Sequence, residues 1–257
     1  MRIILRAATL LVAAALISAC GGGGGGDSGE HIGAAAASCD GIRELQSYRY
    51  RFAIKLQSPA FEPTSGATPA EPLTAFADTL TALLSDFTID GAHVAPDRTQ
   101  AILKFQQDEV EMRAIGDRNW VSVGGTFEEQ ESSGDAALLT PDVVCRDIVQ
   151  AIVGSLGEVD SKGETVNGIE TEHYELSEAD LERLPELLGT NPGTDLPQKF
   201  QVGVWLARDG RWPVRLEIGA EDKDEQGETL GLSLSMEIRD VNDLGISVVE
   251  PATASGN

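Results

Sequence analysis

Histidine, cysteine and basic residues are scarce in this chain, and each shortage closes off a class of chemistry. The three histidines stand apart at His31, His93 and His173, so no His-x-x-x-His or His-Glu-x-x-His pair is available to hold a metal. There is no Gly-x-Ser-x-Gly elbow for a hydrolase, and no glycine-rich loop opens a helix that could cradle a phosphate. Cys-x-x-Cys is absent too, which removes the usual redox and zinc spacings. Neither cofactor nor metal is expected, and the chain reads as non-enzymatic. Lys and Arg number 19 against 42 Asp and Glu, for a net charge of −23. Such a surface is repelled by nucleic acid and by anionic lipid headgroups. The carboxylates are spread along the chain, so they read as a solvated surface, not as an acidic site.

What the sequence does have begins at its start. Arg2 and Arg6 are followed by a small and apolar stretch, Ala7 to Ile17, broken only by Thr9. It is about half the length needed to span a bilayer, so it reads as the core of a signal peptide. The following Ile17-Ser18-Ala19-Cys20 resembles a lipobox, the cleavage and lipidation signal of bacterial lipoproteins. That resemblance implies a signal peptide over residues 1–19 and a diacylglyceryl anchor on Cys20. An ordinary secreted protein with an incidental Cys20 is the alternative. Removing residues 1–19 takes away two arginines and no acid, leaving a net charge of −25. Residues 20–38, with the run Gly21 to Gly26, are too small and polar to build a core and form a tether with an r.m.s. reach of about 25 Å. The expected product is a monomer, anchored by lipid to a bacterial membrane on its extracytoplasmic side, with one domain over residues 39–251 and a tail at 252–257.

Cys39 and Cys145 remain as a pair. In an oxidising compartment a disulfide is expected, with two buried free thiols as the alternative. The bridge would close a loop of about 106 residues and stabilise by ~4–5 kcal/mol.

Within the domain, Tyr48, Tyr50, Phe52, Ile54 and Leu56 alternate with Arg49, Arg51 and Lys55, the mark of a half-buried strand. After a Pro/Gly/Ser-rich loop, Pro72 opens a helical stripe of Leu73, Phe76, Leu80 and Leu84. Strands are expected at 87–94, 100–106, 109–115 and 120–123, then a polar loop over 124–139. Thr140-Pro141-Asp142 starts a helix carrying Val144, Cys145, Ile148 and Ile152, which stops near Gly154. A strand over 165–176 has Gly168 as a turn or bulge. Ser177 to Asp180 has capping-box form and opens a short helix with Leu181 and Leu184, interrupted by Pro185. Three alternating runs close the pattern: Phe200/Val202/Val204/Leu206, Val214/Leu216/Ile218 and Leu230/Leu232/Leu234/Met236/Ile238. A last apolar segment spans 245–249. Asp222, Asp224, Gln226 and Gly227 match the start of an EF-hand loop, but position twelve is Ser233 and the flanks are strand-like, so a charged hairpin turn is expected. These elements make an α+β fold: an open antiparallel β half-barrel with a few short helices packed on its concave face.

The run Val204-Trp-Leu-Ala-Arg-Asp-Gly210-Arg-Trp-Pro213-Val-Arg215-Leu-Glu-Ile218 resembles the strand–turn–strand of LolA-like half-barrel lipoproteins, in the LppX/LprG branch. Asn167 to Tyr174, Ser47 to Phe52, Asp240 to Asp243 and Ile246 to Pro251 resemble the same family. The segment of roughly 30 residues from Gln57 to Asp86 departs from it. The resemblance implies an unclosed barrel wrapped around helices, often enclosing an apolar cavity, in proteins that bind or ferry acylated lipids or that sense envelope partners. Residues expected to line such a cavity are Tyr48, Tyr50, Phe52, Ile54, Phe76, Leu80, Leu84, Ile148, Ile152, Leu181, Leu184, Val202, Val204, Leu216, Leu232 and Leu234; packed core is the alternative for the same side chains. The leading function is binding of a lipid or other apolar ligand by a membrane-tethered protein. The rival is a partner-binding or sensing module with a filled core, and a third is an enzyme whose site the sequence does not display.

Overall fold

The computed structural model describes residues 37–57, 86–105, 108–130, 140–155, 160–176, 199–223, 227 and 229–252. Phe76, Leu80, Leu84, Leu181 and Leu184, with the helices expected around them, lie outside the described residues. No helix among the described residues is long and apolar enough to cross a membrane.

Eleven strands form one antiparallel sheet. They are β1 (Ser47–Gln57), β2 (Asp86–Val94), β3 (Arg98–Phe105), β4 (Asp108–Ile115), β5 (Arg118–Val123), β6 (Thr126–Gln130), β7 (Lys162–Val166), β8 (Ile169–Glu175), β9 (Lys199–Ala207), β10 (Pro213–Lys223) and β11 (Thr229–Arg239). Their spatial order is β6-β5-β4-β3-β2-β1-β11-β10-β9-β8-β7. The sheet is therefore two sequential meanders, β1–β6 and β7–β11, joined where the first strand pairs with the last, from Arg49↔Arg239 to Gln57↔Gly231. The end strands β6 and β7 do not pair with each other, so the sheet is an open half-barrel and not a closed one.

Period-two alternation decides which side chains go inward. Directly paired residues share a face, so Phe52, Met236, Leu216 and Val204 form one cross-strand row, and all four are buried. Arg49 and Arg51 fall on the other face and are exposed. The inner face packs against α2, a continuous helix made of an α-helical turn Pro141–Val144, a π-helical turn Cys145–Val149 and an α-helical segment Gln150–Ser155. A short helix that the sequence pattern did not suggest, α1 (Asp40–Arg43), precedes β1. The Cys39–Cys145 disulfide ties the start of α1 to α2, with Cα atoms 5.6 Å apart.

Several local expectations are corrected. The polar loop over 124–139 contains β6; Gly124 and Gly125 both have positive φ (71° and 93°) and make the two-residue turn that pairs β5 with β6. The segment over 165–176 is divided by the turn expected at Gly168: Asn167 and Gly168, with φ of 53° and 79°, separate two strands. The carboxamide of Asn167 then donates to Glu237 Oε1 and to the Ile238 carbonyl on β11. The buried stripe of α2 is Val144, Cys145, Val149, Ile152 and Val153, with Ile148 only half-buried. The π turn inserts one extra residue, which moves the inward position from Ile148 to Val149. Thr140 precedes the helix but makes no capping bond to its backbone; its hydroxyl donates to Asp142 Oδ1 at 2.5 Å.

Residues 245–249 do not form a strand. The chain crosses the outer face as a strap, burying Ile246 and Val248 beside Ala92. Arg98 donates to the Val248 carbonyl, Arg113 to that of Val249, and Arg118 to Glu250. Asp222 belongs to β10, which runs on to Lys223, so the resemblance to an EF-hand start is spent on strand structure. Among the described residues, no group of three or more His, Cys, Asp or Glu could hold a metal.

Candidate functional site

The inner face of the sheet is largely apolar in its middle rows but unevenly covered. Under α2 it is sealed: Tyr48, Tyr50, Phe52, Val202, Val204, Leu216 and Ile152 are buried in one cluster with Cys39 and Cys145. Towards the other end of the same strands the cover thins. Leu56, Leu232, Ala220 and Phe200 form one cross-strand row, and each is half-buried, as are Ile54, Leu234 and Phe87.

Cover also thins along the β3–β5 wing. The row Phe52–Ile89 continues through Leu103 and Val110 to Val123; the row Tyr50–Gly91 continues through Ala101 and Met112 to Val121. Leu103, Val110, Met112 and Val121 are half-buried, and Val123 is 72% exposed. Sequence reading placed these strands correctly but did not carry their alternation into the candidate wall. The signal was present as Val110 and Met112 between charged neighbours and Val121 and Val123 beyond Trp120.

Polar groups sit at the sealed end. Tyr48 stacks on His93, ring centroids 5.1 Å apart, and His93 Nδ1 lies 3.1 Å from Thr99 Oγ1. Burial pushes the Tyr48 and Tyr50 phenols well above their ordinary range, and the negative charge of Asp142 adds to it. Burial lowers the pKa of His93, against the opposing pull of Asp142 and Asp97. Tyr50 lies over Gly91 so closely that a Cβ there would sit 2.0 Å from its Cζ. Its hydroxyl has no hydrogen-bond partner among the described residues.

The outer face carries two adjoining open grooves of about 480 and 580 Å³. Both run over Gly219 and Ser233, where the strands carry little side chain. At one end His173 stacks on Trp205 at 4.0 Å, and Trp205 Nε1 donates to Glu164 at 2.6 Å. The second groove ends at Lys199, which pairs with Glu221 at 2.7 Å. The charges lining the grooves nearly cancel, with Lys55 and Lys199 opposing Glu175, Glu217 and Glu221. Sequence reading did not foresee these grooves, because they arise from glycine and serine on the polar side of the strands.

No family model and no curated protein matches the chain. Among solved structures it is similar to LprF from Mycobacterium bovis, with 13% identity and a TM-score of 0.41, over 83% of this chain and 93% of that one. It is similar to the LolA superfamily protein NE2245 from Nitrosomonas europaea, with 13% identity and a TM-score of 0.24, over 79% and 90% of the two chains. It is also similar to a chain of the Pseudomonas aeruginosa MucA/MucB complex, with 12% identity and a TM-score of 0.28, over 82% and 56%. The chain's own architecture is an unclosed eleven-stranded antiparallel half-barrel with α2 packed on its inner face.

Proposed function

We propose that this chain is a lipid-tethered extracytoplasmic protein that binds an acyl chain or other apolar ligand on the inner face of its half-barrel, without catalysis. One observation carries the reading: the inner face stays apolar beyond the area that the described core covers, through Leu103, Val110, Met112 and Val121 to the 72%-exposed Val123. An apolar wall left half in water marks a binding surface. Each methylene of a ligand laid on it contributes ~0.8 kcal/mol. The lipobox-like Ile17 to Cys20, followed by the tether over 20–38, supports a position within reach of a membrane from which such a ligand would come.

The test uses the mature chain with Cys20→Ser, so that its own anchor is not mistaken for ligand. Organic extracts should contain lipid, and the neutral fluorophore N-phenyl-1-naphthylamine should bind and be displaced by fatty-acyl compounds. Met112→Glu, which puts a carboxylate into the wall, should weaken binding by about tenfold or more. If extracts hold no lipid and the fluorophore does not bind, the reading fails and a partner-binding module of the same fold takes its place.

A further inference from the structure

We propose that the Tyr50 hydroxyl is the polar anchor of the inner-face site, donating a hydrogen bond to a neutral acyl carbonyl, so that the site prefers esters and amides to alkanes and ionised carboxylates. The inference rests on the lipid-binding reading above and adds to it the chemistry that the ligand's polar end must have.

Buried phenol hydroxyls almost always have a partner, because losing water without replacing it is costly. Tyr50 is 0% exposed and its hydroxyl has none among the described residues. Packing alone does not call for an oxygen here. The ring packs between Tyr48 and Phe52, at centroid distances of 6.2 and 5.6 Å, where phenylalanine would fill the same space.

The ring is also aimed. Tyr50 lies on β1 and pairs with Gly91 on β2. A Cβ on Gly91 would meet Cζ at 2.0 Å and the two Cε atoms at 2.4 and 2.5 Å, so the tip of the ring is centred above that glycine. The hydroxyl, one bond beyond Cζ, therefore points away from β1 and across β2. The residues next along that row are Ala101, then the half-buried Met112 and Val121 of the apolar wall. Glycine and alanine in succession keep the path between the hydroxyl and the wall low.

The same surroundings select the acceptor. Burial and the nearby Asp142 keep the phenol protonated, so it donates. The negative charge of Asp142 that disfavours a phenolate also disfavours a ligand carboxylate in the same low-dielectric place. Asp142 is held 3.8 Å from Arg43 and 4.0 Å from Arg146, which dilutes this effect.

The experiment compares the Cys20→Ser chain with the same chain carrying Tyr50→Phe, using displacement of N-phenyl-1-naphthylamine by methyl laurate, laurate and dodecane at pH 7.5. Methyl laurate should bind the Tyr50→Phe chain about three- to tenfold more weakly, while dodecane and laurate change less than about twofold. The ligand-free Tm of Tyr50→Phe should be unchanged or raised, since the hydroxyl it loses has no partner among the described residues. Equal methyl laurate binding by the two chains, an equal loss for dodecane, or a lowered ligand-free Tm overturns the proposal. If none of the three displaces the fluorophore from either chain, lipid binding itself fails, an outcome distinct from unchanged ester binding.

Discussion

Gly91 shows how one missing side chain shapes this protein. Its φ is not in the left-handed region, so backbone freedom is not the reason for glycine there; the ring of Tyr50 occupies the space. Gly91→Ala forces Tyr50 off its position or pushes β2 outward, which overpacks a site already at 0% exposure. The expected cost is about 1–3 kcal/mol, read as a lower urea midpoint at unchanged slope. Loss of the Tyr48–His93 stack should accompany it as a change in near-ultraviolet circular dichroism. Little of this could be read from the sequence. The inward face of β1 was legible because Tyr48, Tyr50 and Phe52 alternate with arginines. Which glycine on the neighbouring strand lies beneath which ring depends on cross-strand register, fixed only when Tyr50 meets Gly91.

Among the elements, α2 gathers the most constraints: a proline at its first position, a π turn, and the bridge from Cys145 to Cys39. Its start was legible from Thr140-Pro141-Asp142, and its inward stripe was legible at Val144, Cys145 and Ile152. The shift from Ile148 to Val149 was not, because a π turn leaves no periodic mark in so short a helix. The bridge spans a sequence separation of 106, so it acts chiefly on the unfolded chain. Replacing both cysteines by serine should cost ~4–5 kcal/mol in the chain-entropy limit, measured by denaturant titration with the oxidised protein as reference. A loss below about 1 kcal/mol would mean that the unfolded chain is already compact at this end. β6 shows the reverse case, a strand hidden in a run that looked like loop. Only Phe127, with the Arg113 guanidinium 4.7 Å from its ring centroid, is half-buried, so no alternation announces it.

At the scale of the molecule, the fold class followed from the hairpin periodicity of the last three long strands and the first. The closing contact between those two ends of the chain was not available to sequence reading, because β1 and β11 carry no mark of each other. The targeting reading makes its own prediction at this scale. Cys20→Ser should move the protein from the membrane to the soluble fraction of cells. Undiminished membrane association would show that the anchor lies elsewhere.

The pairing of the first strand with the last also sets a timetable. A chain that emerges from its N-terminus, whether from the ribosome or through an export channel, exposes β1 long before β11 exists to cover its free side. In that interval β1–β6 and α2 are all available, and Cys145 can already find Cys39. One arm of the sheet is therefore covalently fastened while the other is still being delivered. The side of β1 that will receive β11 stays an unsatisfied edge for the whole wait. Among the described strands of that arm, the free edges are then β1 from Arg49 to Gln57 and the outer side of β6.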